Sequence, residues 1–238
     1  MADFIVPLVT PLTDDARAVS EVRLARLVRK CVEEGATKLY LLGDIGEFNA
    51  LSTSERKLVV EISVRESQGR IPIYVNVTSF STSKSLDLAQ HAARHGARSA
   101  VISSPFYGPY TQEERLNHLR MIAGYGNLKA TLIDPCNNLS DEEKEELMNL
   151  PSLTFADSTS FDEWWTEDSE CSVAHLVSLF APPDAELKAS LVPLVFEYGS
   201  APVAKCLLEK FGFEAGSLRS PKLPVSHATL NQLFDHAA

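Results

Sequence analysis

Short apolar runs alternate with amphipathic stretches along the first 150 residues, and each pair reads as a strand followed by a helix. Phe4-Ile5-Val6-Pro7-Leu8-Val9 predicts a first strand. Ser20 to Glu34 then places Val22, Leu24, Leu27, Val28 and Cys31 on one helical face, and Gly35 ends it. Thr37 to Leu42 predicts a second strand, and its helix opens on the capping box Ser52-x-x-Glu55 and runs to about Ser67. The third unit pairs Ile71 to Val77 with a helix from Thr82 to His95 before Gly96. The fourth pairs Ser99 to Ser103 with a helix from Thr111-x-x-Glu114 to Tyr125, and the fifth pairs Leu128 to Ile133 with a helix opening at Ser140-x-x-Glu143. Near-continuous apolar strands separated by amphipathic helices, repeating every roughly thirty residues, imply a parallel sheet covered by helices. A TIM (β/α)8-like barrel is the α/β architecture this predicts, with an open doubly wound sheet as the alternative.

The regularity fails after a sixth strand, Leu153-Thr154-Phe155-Ala156. Phe161 to Glu170 is acidic with two tryptophans, Trp164 and Trp165, and Val173 to Phe180 reads as one more strand. Helical patterns then take over at Asp184 to Tyr198, Ala201 to Phe211 and Ser226 to Asp235. Six or seven strands are countable where a closed barrel has eight. The expectation is therefore a single domain, with a barrel over 1–182 that is incomplete or irregular after strand six and a helical part over 183–238.

Composition narrows the function classes. The 238 residues are 45% hydrophobic and 23% charged, enough for one sizeable core. A net charge of −10 argues against nucleic-acid or anionic-membrane partners, both of which need a basic face. Cys31, Cys136, Cys171 and Cys206 show no CxxC spacing, so neither a zinc site nor a disulfide framework is predicted. Met1-Ala2-Asp3-Phe4 lacks the features of a signal peptide, and no apolar run reaches a membrane-spanning length. A cytoplasmic protein is the expectation.

Candidate chemistry begins at Leu41-Leu42-Gly43-Asp44-Ile45-Gly46-Glu47-Phe48, where a strand ends in a glycine loop before a capped helix. Ligands of parallel α/β proteins sit at the carboxyl ends of strands, so Gly43, Asp44, Ile45, Gly46 and Glu47 are candidate ligand-binding residues. Two glycines turning a tight corner are the plainer explanation.

Five motifs in order carry a resemblance: Pro7-Leu8-Val9-Thr10-Pro11-Leu12; Gly43-x-x-Gly46-Glu47 with Leu51-Ser52-x-x-Glu55-Arg56; Ser104-Pro105-Phe106-Tyr107; Ala201-Pro202-Val203-x-Lys205; and Leu218-Arg219-x-Pro221. Together they resemble the dihydrodipicolinate synthase and N-acetylneuraminate lyase family. The resemblance implies a TIM barrel with carboxy-terminal helices and a sixth-strand lysine that forms a Schiff base with pyruvate or another 2-oxo acid, beside which a carbon–carbon bond is made or broken.

Departures gather where that chemistry lies. The lysine position falls on Ala156, whose methyl group cannot form an imine. The fifth strand reads Thr131-Leu132-Ile133-Asp134-Pro135, so the family's tyrosine is replaced, with Leu132 in its place, and no phenol remains to relay protons. Asp44 and Ile45 stand for the loop threonines that bind the substrate carboxylate, and Asp44 repels such a group. Cys136-Asn137-Asn138 offers no arginine for a second substrate. Tyr107 alone survives of the polar relay and is the one candidate catalytic residue. Lys129, at the start of the fifth strand, and Lys188 and Lys205, in helical patterns that suggest outer faces, read as solvated charges rather than relocated nucleophiles.

The mouth instead gains acid, since Asp44, Glu47, Asp134 and Asp157 all follow predicted strands. Such a rim could hold Mg²⁺ or Ca²⁺ or supply an acid–base pair, but Asp at a βα junction is more often a cap or turn residue, and no metal or cofactor is predicted. His91 and His95 lie four apart on the third helix with no third ligand in view, so surface histidines are expected. Two functions compete: a lyase-family enzyme of small oxo acids or sugar acids working without the lysine, through carboxylates or a metal, and a non-catalytic protein that binds a ligand or a partner. Because the family pairs its barrels through the tyrosine of the Ser104-Pro105-Phe106-Tyr107 loop, a homodimer or homotetramer is expected.

Overall fold

Each predicted apolar run up to residue 155 forms a strand lying parallel to the one before it. In the computed structural model these are β1 (Ile5–Pro7), β2 (Lys38–Leu41), β3 (Ile73–Asn76), β4 (Ser99–Ser103), β5 (Ala130–Ile133) and β6 (Leu153–Phe155), hydrogen-bonded in sequence order. The structure describes residues 5–105, 108–134, 139–155, 173, 176, 179, 185–226 and 228–229, with the main chain alone over 185–190. Helices α1 (Glu21–Glu33), α2 (Thr53–Ser67), α3 (Thr82–His95), α4 (Gln112–Tyr125) and α5 (Asp141–Met148) connect the strands, and α6 (Ala185–Tyr198) and α7 (Ser200–Lys210) follow.

The helices begin where local chemistry starts them. Ser52, Thr111 and Ser140 each accept a hydrogen bond from the main-chain N–H three residues on, and the Glu55, Glu114 and Glu143 carboxylates each accept one from the cap residue's own N–H. These are the three predicted capping boxes, all formed.

Side-chain alternation divides the sheet into two buried faces. Val6, Leu39, Leu41, Ile73, Val75, Ala100, Ile102, Ala130 and Leu132 join the helices in the main core. Ile5, Tyr40, Val101 and Ile133, with Tyr74 against them, form a separate inner cluster. A strand order that never reverses, with each helix from α1 to α5 packed on the next, is one continuous wall curling around an inner face. A doubly wound sheet would reverse its order at a switch point, so the barrel is the architecture that holds.

The strand expected at Val173 to Phe180 is corrected: Val173 and Leu176 are helical and Leu179 lies in a turn, all three buried. Their spacing of three is helical, and a short apolar run disguises it. The helices expected at Asp184–Tyr198 and Ala201–Phe211 form within one residue of those bounds, and 228 and 229 are helical within the third. Residues 156–172, with Trp164, Trp165 and the route by which the wall closes, lie outside the described residues.

The segment after α7 returns to the amino-terminal half. Gly216, at φ +73°, passes so close that a Cβ there would lie 2.0 Å from the Leu12 carbonyl oxygen, which leaves no room for any side chain. Arg219 then donates through Nη1 and Nη2 to the Glu55 carboxylate at 2.9 and 2.7 Å, through Nη1 to the Ala50 carbonyl at 2.9 Å, and through Nε to the Ala16 carbonyl at 3.0 Å. Glu55 thus serves the helix cap and the carboxy-terminal clamp at once. Arg219, followed by the Ser52 hydrogen bonds, holds the Glu55 carboxyl down to about 2.

Because the folded value lies below the ordinary 4.5, this contact stabilises the protein above about pH 4.5 and is lost as the pH falls toward 2. Glu55→Gln is expected to lower stability at neutral pH by about 1–2 kcal/mol. Its melting temperature should also fall less steeply than the wild type's between pH 4.5 and 2. Parallel melting curves over that window would show that the clamp contributes nothing.

Candidate functional site at the carboxyl ends of the strands

A polar network ties together the ends of β2, β3 and β4. Asn76, the last residue of β3, donates through Nδ2 to the Leu42 carbonyl at 2.7 Å and accepts from the Thr78 N–H at 2.9 Å. Thr78 Oγ1 accepts from the Ser103 N–H at 3.0 Å. Arg56, buried on α2, donates to the Thr78 and Asn76 carbonyls at 2.9 and 2.8 Å and lies over the Phe48 ring. Burial lowers its guanidinium to about 10. These contacts satisfy main-chain groups that the diverging strands leave unpaired. Ser104 Oγ, beside them, is buried without a hydrogen-bond partner among the described residues.

The glycine loop is strained and pinned at both ends. Leu42 and Glu47 both adopt left-handed backbone, at φ 61° and 54°, which costs a residue with a side chain of order 1 kcal/mol or more. Gly46 sits between them with Leu42 main-chain atoms 3.0 Å from where its Cβ would be, and its carbonyl accepts from Thr10 Oγ1 at 2.8 Å. Glu47 holds the other end. Its carboxylate, 1% exposed, meets Lys205 Nζ at 2.6 Å, and its second oxygen accepts the Arg219 N–H at 3.3 Å. Lys205 also donates to the Ser217 carbonyl at 2.7 Å.

The outer-face reading of Lys205 is therefore corrected, since its side chain is 3% exposed. Every residue of α7 from Ser200 to Leu208 is buried, so that helix has no solvated face there for a lysine to occupy. Burial lowers the Lys205 ammonium below its ordinary value, and the Glu47 charge works in the opposite direction. Lys129 is exposed as expected, and the Lys188 side chain lies outside the described residues.

The other predicted residues have separate partners. Asp44, its side chain 67% exposed at the rim, accepts a hydrogen bond from Ser200 at the start of α7 and lies 3.9 Å from Lys222 Nζ. Ile45 packs in the main core with Leu42 and Leu51. Asp134 accepts the Leu139 N–H at 3.1 Å and stands 3.8 Å from Lys144 Nζ, which is a turn residue's work. Among the described residues Asp44, Glu47 and Asp134 form no cluster able to hold a metal ion. Tyr107, Ala156 and Asp157 lie outside the described residues. At the end of β5 the side chain on the inner face is Ile133, in contact with the Tyr40 and Val101 cluster, while Leu132 faces the helices. The inner position beside the predicted tyrosine site is apolar either way.

Sequence spacing gives Thr10, Asn76, Thr78, Ser104 and Arg56 no individual role, although a polar residue closing an apolar run, as Asn76 does after Ile73-Tyr74-Val75, is the signal that marks a strand end with work to do. A cavity of about 880 Å³ lies elsewhere, between α7 and the 212–225 segment, and none of the predicted ligand-binding residues lines it.

Known proteins resemble this chain over part of its sequence and in its fold. The chain is 34% identical over 150 residues to 4-hydroxy-tetrahydrodipicolinate synthase of Hyphomonas neptunium, covering 63% of this chain and 50% of that protein. It is 37% identical over 115 residues to N-acetylneuraminate lyase of Escherichia fergusonii, covering 48% and 38%. The chain thus matches about half the length or less of these curated relatives. Among solved structures, a putative dihydrodipicolinate synthetase from Pseudomonas aeruginosa superposes with a TM-score of 0.81 at 17% identity, covering 98% of this chain and 97% of that one, which shows the shared barrel fold. The model of the dihydrodipicolinate synthetase family matches residues 1–159, two-thirds of the sequence. The chain belongs to the dihydrodipicolinate synthetase family.

Proposed function

We propose that this chain binds a small 2-oxo acid or sugar acid at the barrel mouth and does not carry out the Schiff-base lyase reaction. One observation carries the reading: the lysine nearest the glycine loop, Lys205, is buried and ion-paired with Glu47 at 2.6 Å, while the residue that follows β6 is Ala156. Imine formation needs a neutral amine that can reach a carbonyl carbon, and an ammonium enclosed by a carboxylate and the Ser217 carbonyl offers neither. Ile133 on the inner face and Ile45 in the core further remove the hydroxyls expected of a proton relay. The Ser104 hydroxyl, buried beside the strand-end network with no hydrogen-bond partner among the described residues, is one group left for a ligand.

Incubation with pyruvate and borohydride, read by intact mass, is expected to leave the chain unmodified. Turnover with pyruvate and an aldehyde is expected at least about a thousandfold below an ordinary lysine-dependent enzyme, since removing a covalent nucleophile costs that much or more. A stable adduct, or turnover at an ordinary rate, would overturn the proposal. Ligand binding is tested by the melting temperature in pyruvate or N-acetylneuraminate, because a ligand that prefers the folded state raises it.

We further infer that the chain assembles as a homodimer or homotetramer. Val192 and Phe196, one turn apart on α6, are 41% and 92% exposed and offer apolar area that association would cover. Light scattering at micromolar concentration is expected to give two or four times 26.1 kDa, and a mass of one chain would end this reading.

A further inference from the structure

Far from the mouth, α2 and α3 pack side by side on the outer wall and bring three metal-ligating side chains together. His91 and His95 sit four apart on α3, one above the other, with ring centroids 4.3 Å apart. Glu61, on the facing side of α2, supplies the third donor. Its Oε1 lies 3.2 Å from His91 Nε2 and 3.9 Å from His95 Nε2, and all three donor atoms fall within 4.8 Å of one another. Of the two expected surface histidines, His95 is exposed, and the expectation is corrected for His91, which is buried, with Glu61 beside it as a candidate third donor. His91 is 7% exposed, and the third ligand comes from the preceding helix, some thirty residues earlier in the sequence, which no spacing rule on α3 could reveal.

From this geometry we propose that Glu61, His91 and His95 form a binding site for a divalent transition-metal ion, best matched by Zn²⁺, that staples α2 to α3. A tetrahedral zinc ion with bonds near 2.0–2.1 Å separates its donors by about 3.3 Å, so a movement of about 1 Å closes the set. The side chains that must move can do so, because Glu61 and His95 are 42% and 40% exposed. The buried donor supplies independent support. His91 Nε2 is enclosed and has no hydrogen-bond partner among the described residues, although the Glu61 carboxylate is only 3.2 Å away. The two atoms thus lie close together with no hydrogen bond between them. The imidazole meanwhile has a hydrogen bond with the Lys57 main chain, an outer contact of the kind that orients a ligating histidine.

Charge and donor type agree with this ion. Burial, then the neighbouring His95, lowers His91 below its ordinary value. The Lys57 ammonium opposes a cation here, but it is bound to Asp87 on α3 at 2.7 Å. Two imidazoles and one carboxylate suit Zn²⁺ or Co²⁺ rather than Mg²⁺ or Ca²⁺, which prefer all-oxygen shells. Solvent exposure on the His95 side leaves the fourth position to water.

The test uses tag-free, chelator-stripped full chain titrated with ZnCl₂ by calorimetry, with the melting temperature as a second readout and Co²⁺ absorption as a third. One Zn²⁺ per chain is expected, with a raised melting temperature and cobalt d–d bands free of thiolate charge transfer. His95→Ala and Glu61→Gln, which change half-exposed side chains, are expected to fold and to bind at least tenfold more weakly. Zinc binding of unchanged affinity in both variants would place the ion elsewhere, at a cysteine for example, and would overturn the proposal. So would the absence of any zinc-dependent shift in the wild type.

Discussion

The carboxylate of Glu47 against the ammonium of Lys205 is the contact on which the rest of this molecule turns. A charge this deeply buried is tolerated only when paired and hydrogen-bonded, and here each partner has further contacts: the Arg219 N–H for Glu47 and the Ser217 carbonyl for Lys205. The pair joins a loop at the end of β2 to a helix near the end of the chain. Beside it, Arg219 fastens the next stretch of that segment to Glu55 and Ala50. Both attachments land on the chain between Glu47 and Glu55, so the left-handed Leu42 and Glu47 are held from outside the barrel as well as from within it. Thr10 and Asn76 supply the inner hold. Strained backbone persists where several neighbours dictate it, and this loop meets that condition.

That constraint also bears on chemistry. A lysine committed to a buried carboxylate cannot serve as a nucleophile without leaving Glu47 as an uncompensated buried charge. The glycine loop, the Ser52 capping box and the Arg219 clamp meet at the end of β2. Among the described residues, Ile133 faces the interior at the end of β5, beside Tyr40 and Val101. Asp44 to Ser200, Asp134 to Leu139 and Glu47 to Lys205 are three acids with three separate duties.

What was legible in the sequence was local. The capping boxes at Ser52, Thr111 and Ser140 depend on residues three apart, and the strands depend on contiguous apolar runs, so the wall from β1 to β6 could be read directly. The turn role of Asp134 was also within reach, since a short carboxylate after a strand commonly binds the next main-chain N–H groups. Long-range pairing was not legible. Nothing near Lys205 in the sequence announces Glu47, although a lysine set among Ala204, Cys206, Leu207 and Leu208 in a helix without a solvated face was a warning against a surface charge. The third ligand beside His91 was hidden for the same reason, because packing of α2 on α3, not helical spacing, brings Glu61 there. At Val173 the failure was one of period, since a short apolar run cannot separate strand from helix.

The account rests on the coupling between Glu47 and Lys205, and a double-mutant cycle measures it directly. Urea unfolding of Lys205→Met and of Glu47→Gln should show losses of about 3–5 kcal/mol each, because either change strands a buried polar partner. The double variant should lose clearly less than the sum, by more than about 1.5 kcal/mol. Single losses below about 1 kcal/mol that simply add in the double variant would contradict the claim that this pair holds the loop to the carboxy-terminal helices.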